Sequence, residues 1–275
     1  MATRRPRLSQ EETERRMLVA AVEQINAAGL TVSLDHLSFE AVIQAADVSR
    51  AAAYRRWPNK QAFHRDLLLA LGRAATPRAV VMADDARAVL RDLALADPGR
   101  LSEPNYRWWL AAEMLRQGTD LNFRTMHNSP EWRTYLALHA TFASLPQAEL
   151  RAQVQATLAA AQAEFVAILA QTWAQLSALL GFRLRAQLSH EVLAELISAS
   201  IRGLLVMAMA DPDLAEAKVP ADPFGRQTGT EWSLAALSCA SLAIAFFEPE
   251  PDLVWDETHT QAVVAVFTSW QGEQG

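Results

Sequence analysis

From Gln147 to Asp211 the chain carries no proline, and apolar side chains recur through the first half of that stretch in steps of three and four. Leu150, Val154, Leu158, Ala161, Phe165, Ile168, Thr172, Leu176 and Leu179 mark the rhythm. That period belongs to an α-helix, where i, i+3 and i+4 share a face. At 1.5 Å per residue, residues 147–180 would span about 50 Å. A helix that long needs apolar partners beside it. No convincing period-2 segment offers a sheet, β-branched residues are sparse, and alanine and leucine dominate. The expected fold class is all-α.

Proline and glycine divide the rest. Ser9 predicts an N-cap, with Glu11 and Glu12 in the first turn where the helix dipole favours acids. Leu18, Val22 and Ile25 follow, and Gly29 is placed as the C-cap residue. Further helices are expected over 78–95, 103–117 (broken by Gly118), 131–144, 190–210 (capped by Ser189), 230–247 (capped by Thr230) and 257–270. Residues 211–229, with three prolines and two glycines, read as a loop. The helices at 190–210 and 230–247 are apolar around most of their circumference. Such helices must be buried on all sides, and a dimer interface is the simplest way to achieve it.

Charge is unevenly placed. Residues 1–65 hold ten of the 25 Lys/Arg and seven of the 31 Asp/Glu, so a basic head precedes an acidic body with a chain total of -6. A basic end suits a phosphate partner, and an acidic body would orient the approach. A single cysteine, Cys239, excludes an intrachain disulfide and reads as a buried structural thiol. The basic start is followed by a polar Ser9–Arg16 where a signal peptide requires an apolar core. The most apolar run, Trp232–Phe247, is short for a membrane span. The reading is cytoplasmic, with no membrane partner.

The segment Ser38–Phe63, SFEAVIQAADVSRAAAYRRWPNKQAF, reads as a short helix, a tight turn at Asp47, a second short helix, then Pro58 and the start of a third. That spacing occurs where a protein pushes one helix into the DNA major groove. The run resembles the DNA-binding domain of the tetracycline-repressor (TetR) family of transcriptional regulators over about residues 10–70. Ser38, Val42, Ala46, Val48, Ser49, Tyr54, Trp57 and Lys60 occupy the corresponding places. Three residues depart from the pattern. Asp47 replaces the turn glycine, and Asp tolerates the left-handed conformation. Ile43 stands for the alanine of an Ile-Ala pair, and Ala51–Ala53 for a Gly-Thr-Leu run.

Position then suggests roles. Ser49 caps the second helix, and Arg50 near its start would read a guanine edge by paired hydrogen bonds. Ala51 and Ala52 would touch thymine methyls. Tyr54, Arg56 and Lys60 fit phosphate contacts, for the tyrosine and lysine as the resemblance implies. Ser38 would offer a helix N-terminus to phosphate. Arg4, Arg5 and Arg7 form a basic arm of the kind that enters a minor groove. Trp57, Val42, Val48 and Phe63 are assigned to the core.

The resemblance also implies a small-molecule pocket among the middle helices. Trp109, Glu113, Phe123, Phe165 and Trp173 are the candidate lining, with dense core packing as the alternative for each. No nucleophile motif, phosphate loop or zinc-type cluster is present, and Pro130 separates His127 from Glu131. No catalytic residue, metal or cofactor is expected, and the chain is read as no enzyme. The expected organisation is a basic arm (1–8), a helix-turn-helix three-helix domain (9–75) and a larger helical ligand-binding and dimerisation domain (76–275). The expected function is a homodimeric repressor on a double-stranded palindromic DNA operator, released by a small apolar or aromatic effector. The alternative is a helical small-molecule-binding protein whose DNA recognition is weakened or lost.

Overall fold

A computed structural model of the chain describes residues 8–28, 34, 37–74, 84–225 and 229–270. The fold is all-α. Among these residues the helices are α1 (Gln10–Ala28), α2 (Phe39–Ala45), α3 (Arg50–Arg56), α4 (Lys60–Ala74), α5 (Asp84–Leu95), α6 (Pro104–Asn128), α7 (Pro130–Thr141), α8 (Ala148–Leu179), α9 (His190–Ala210), α10 (Asp213–Glu216), α11 (Leu234–Phe246) and α12 (Glu257–Ser269). Gly29 and the arginines of the amino-terminal arm, Arg4, Arg5 and Arg7, lie outside the described residues.

Two compact units divide the chain: Met1–Pro77 with Ser129–Ala163, and Arg78–Asn128 with Glu164–Gly275. The boundary differs from the expected one at 75, because α7 and the first half of α8 pack with the amino-terminal helices. Their apolar faces hold Trp132, Tyr135, Leu138, Val154 and Leu158, all buried. Thr134 Oγ1 on α7 donates to Asn26 Oδ1 on α1 at 2.7 Å, and Arg65 Nη2 on α4 donates to Gln153 Oε1 on α8 at 3.1 Å. Such long-range pairings leave no local trace in a sequence.

The first unit is centred on aromatic side chains. Trp57 and Phe63 are fully buried, with rings 5.1 Å apart and near-perpendicular, and Phe39 packs against both. Trp57 Nε1 donates to Asp66 Oδ2 at 2.9 Å, so the indole N–H is buried without being orphaned.

In the second unit Gly118 does not break its helix. α6 runs 25 residues through it, and a Cβ there would stand 3.1 Å from Leu90 Cδ2. The glycine serves the close approach of α5 to α6, not a turn. Gly181, just past the end of α8, takes φ +73° and has Leu253 Cδ2 2.5 Å from where a Cβ would lie. Four three-residue strands were not anticipated: β1 (Phe182–Leu184) pairs antiparallel with β4 (Phe247–Pro249), and β2 (Lys218–Pro220) with β3 (Glu231–Ser233). The second pair shortens the expected 230–247 helix, whose N-cap is Ser233 in place of Thr230; Ser233 Oγ accepts from Ala236 N at 3.3 Å.

Candidate functional site

Helices α2 and α3 are seven residues each, and each begins on a serine. Ser38 Oγ accepts from the Ala41 amide at 3.3 Å and Ser49 Oγ from the Ala52 amide at 3.2 Å, satisfying N–H groups the helices leave unbonded. Asp47 between them takes φ 51°, the left-handed turn conformation. Val42, Ile43, Val48, Ala52 and Ala53 are buried beneath this pair. Ala52, expected at thymine methyls, therefore faces the core, whereas Ala51 is exposed. Helical phase explains it, because Ala52, Ala53 and Arg56 lie inward while Arg50, Ala51, Tyr54 and Arg55 lie outward.

Arg56 also departs from expectation. Its Nε donates to Glu14 Oε2 and its Nη2 to Asp66 Oδ2, both at 2.7 Å, with the guanidinium 4.9 Å from the Trp57 ring. Two carboxylates and an indole face satisfy it, so it ties α1, α3 and α4 together. A phosphate contact would have to compete with both acids. Lys60 starts α4, on the exposed surface.

The outward face of α3 holds an anion of its own. Glu40 Oε1 accepts from Arg50 Nη2 at 2.7 Å and from Tyr54 Oη at 2.8 Å. These hydrogen bonds, Arg50's first, hold the Glu40 carboxyl below its ordinary range, so it is ionised at neutral pH. The same carboxylate raises the Tyr54 phenol.

The second unit holds a partly open cavity of about 180 Å³. Its wall takes one face of α6 (Trp108, Ala111, Leu115, Gly118, Asn122, Met126), one of α8 (Leu169, Thr172, Trp173, Leu176), and residues of α5, α9 and α11. Trp108 packs against Phe182 and Phe224 at 4.4 and 5.6 Å, and Trp173 stacks on Phe247 at 5.9 Å. Of the five candidates, Phe123 and Trp173 line it and Trp109, Glu113 and Phe165 do not. Trp109 stacks on Tyr106; Glu113 accepts from Arg116 at 2.7 Å and Gln117 at 2.9 Å; Phe165 lies under the Arg202 guanidinium. Trp108, Ala111, Leu115, Gly118, Asn122 and Met126 share one helical face in steps of three and four, and Trp109 and Glu113 fall off it. The described lining includes no Asp, Glu, Lys, Arg or His.

Cys239 belongs to the same wall, and burial pushes its thiol up to about 12, leaving essentially no thiolate at neutral pH. Its part is apolar packing. No family model matches the chain and no curated protein matches it, so the reading of these two places rests on their own chemistry. Among the described residues no group of three or more His, Cys, Asp or Glu is placed to hold a metal ion.

A third surface lies on α9. Val192, Leu196, Val206 and Met207 are exposed along its outer side, and nothing lies within 4 Å of where a Gly203 Cβ would stand. Its inner side packs on α11, with Ser200 and Ser238 joined hydroxyl to hydroxyl at 2.5 Å. Among the described residues α9 is the one helix long and apolar enough to cross a membrane, with 39% of its most apolar window buried.

Proposed function

We propose that the chain is a homodimeric, ligand-responsive transcriptional regulator of the tetracycline-repressor type. In this reading α3 enters the major groove of a palindromic operator, and an effector in the cavity releases the protein as a repressor. The observation that carries it is the pair of serine-capped short helices around a left-handed Asp47, with Arg50 and Tyr54 on the outward face and the apolar side turned into the core. Two copies would present α3 to successive grooves about 34–36 Å apart. The effector would act by binding one dimer geometry better than the other. A cytoplasmic setting follows from that role.

Gel shift on the DNA flanking its own gene tests it, with salt-sensitive binding expected. Arg50→Ala should relax base preference at one position by about 1–3 kcal/mol, whereas Lys60→Ala should weaken all sequences alike and flatten the salt dependence by about one unit of slope. Identical behaviour of the two would refute the division between reader and anchor.

The cavity chemistry supports an uncharged aromatic effector. Moving a charge into a wall without ionic partners costs far more than apolar contact returns. An apolar cavity of about 150 Å³ accommodates benzene, so one or two fused rings fit here. 2-Naphthol is expected to quench the emission of Trp108 and Trp173 on titration, and 2-naphthoate of the same shape to bind at least tenfold more weakly. Equal binding of the two would count against the site.

A second reading is a helical small-molecule-binding protein that does not engage DNA. It is favoured by the carboxylate partners of Arg50, Tyr54 and Arg56. Effector binding together with absent salt-sensitive DNA binding would select it.

A further inference from the structure

The two side chains on α3 best placed to meet a DNA backbone or base edge both donate to one oxygen. Arg50 and Tyr54 stand four residues apart, one turn along the helix, and point the same way. The Tyr54 ring is fixed by an edge contact with Phe39, centroids 5.3 Å apart, which places its hydroxyl. Glu40, in the first turn of α2, supplies the oxygen that both reach. A guanidinium and a hydroxyl converging on one anionic oxygen is the donor set a phosphate oxygen would meet. All three side chains are open to solvent, with the Arg50 side chain 71% exposed, so burial does not force the arrangement.

Granted the DNA-binding reading above, on which this rests, we propose that Glu40 is an internal phosphate mimic that restrains the recognition face and sharpens its choice of sequence. In the free protein its carboxylate takes the seat of a backbone phosphate. To engage Arg50, duplex DNA must displace it, and the displaced carboxylate then stands beside phosphates that repel it. At a random site Arg50 gains no base contact to offset leaving Glu40 and stays on the carboxylate. At a cognate site the bonds to a base edge compensate the exchange. Glu40 therefore lowers affinity for arbitrary DNA more than for the operator.

The pair is exposed and screened, so the restraint is modest. Glu40→Gln keeps the length and removes the charge. Binding of a short random-sequence duplex, followed by fluorescence anisotropy across a salt series, should tighten about threefold to tenfold. Its log–log salt slope should steepen by about one unit, because Arg50 becomes available to a phosphate.

A control separates this clamp from general acid–phosphate repulsion. In an Arg50→Ala/Tyr54→Phe background, Glu40→Gln should give no more than a small residual gain, the signature of coupling in a double-mutant cycle. A gain that persists undiminished there overturns the proposal in favour of plain repulsion. No gain in the native background overturns it outright. If neither the native chain nor Glu40→Gln binds any duplex at low salt, while both melt at the same temperature, the DNA-binding reading fails and the proposal with it.

Discussion

Trp57→Ala is expected to remove about 3–5 kcal/mol of stability, a large share of what holds a domain together. The indole is fully buried where Phe39 and Phe63 meet it. Its removal leaves a cavity that the short helices α2 and α3 are too constrained to fill. It also takes a donor from Asp66 and an aromatic face from Arg56, so a carboxylate and a guanidinium lose support together. Urea denaturation followed by far-ultraviolet circular dichroism measures the loss, and two units predict that the first melts at lower denaturant than the second. A loss below about 1 kcal/mol would mean that the first unit does not depend on its aromatic cluster. Trp57→Phe keeps the ring packing and forfeits the hydrogen bond, so it should fall well short of the alanine effect.

Leu196→Glu combined with Val206→Glu is expected to convert a dimer to monomers. Both positions lie on the outward side of α9, with Val206 53% exposed and Leu196 43% exposed. We place the seam of the proposed dimer on that side: Val192, Leu196, Ala199, Gly203, Val206 and Ala210 follow in steps of four and three, the spacing of two helices packed side by side. Small residues at 199, 203 and 210 let two backbones approach. A carboxylate buried in such a seam without a partner costs several kcal/mol, and a two-fold axis duplicates every one. Light scattering at micromolar concentration reads the outcome. A native chain that is already monomeric, or a variant that stays dimeric, would contradict the dimer.

How far these features could be read in advance depended on how local their causes are. Ser9, Ser38, Ser49 and Ser189 were legible as caps because a cap is settled by neighbouring residues. The left-handed turn at Asp47 was legible for the same reason. Gly118 misled, since glycine marks both a helix end and a close helix contact, and only the presence of Leu90 decides between them. The strands β2 and β3 were hidden because three residues establish no period and their pairing spans a loop. Arg56 is another case: its sequence position says it is a cation near a helix end, but Glu14 and Asp66, far along the chain in one case, decide what it holds. In the cavity, Phe123 and Trp173 could be named from an aromatic-rich region. Phe182, Phe224 and Phe247 come from strands and loops that only the tertiary fold brings to Trp108 and Trp173.

The solitary thiol in the cavity wall gives the chain a clock. Cys239 is the one cysteine in the sequence, and it is buried. A small thiol reagent must enter the cavity to reach it, so labelling time measures access to the chamber. An occupant that fits would slow the labelling to a rate proportional to the fraction of cavities left empty, and a molecule bound elsewhere without coupling to the cavity would leave the clock running at its original rate.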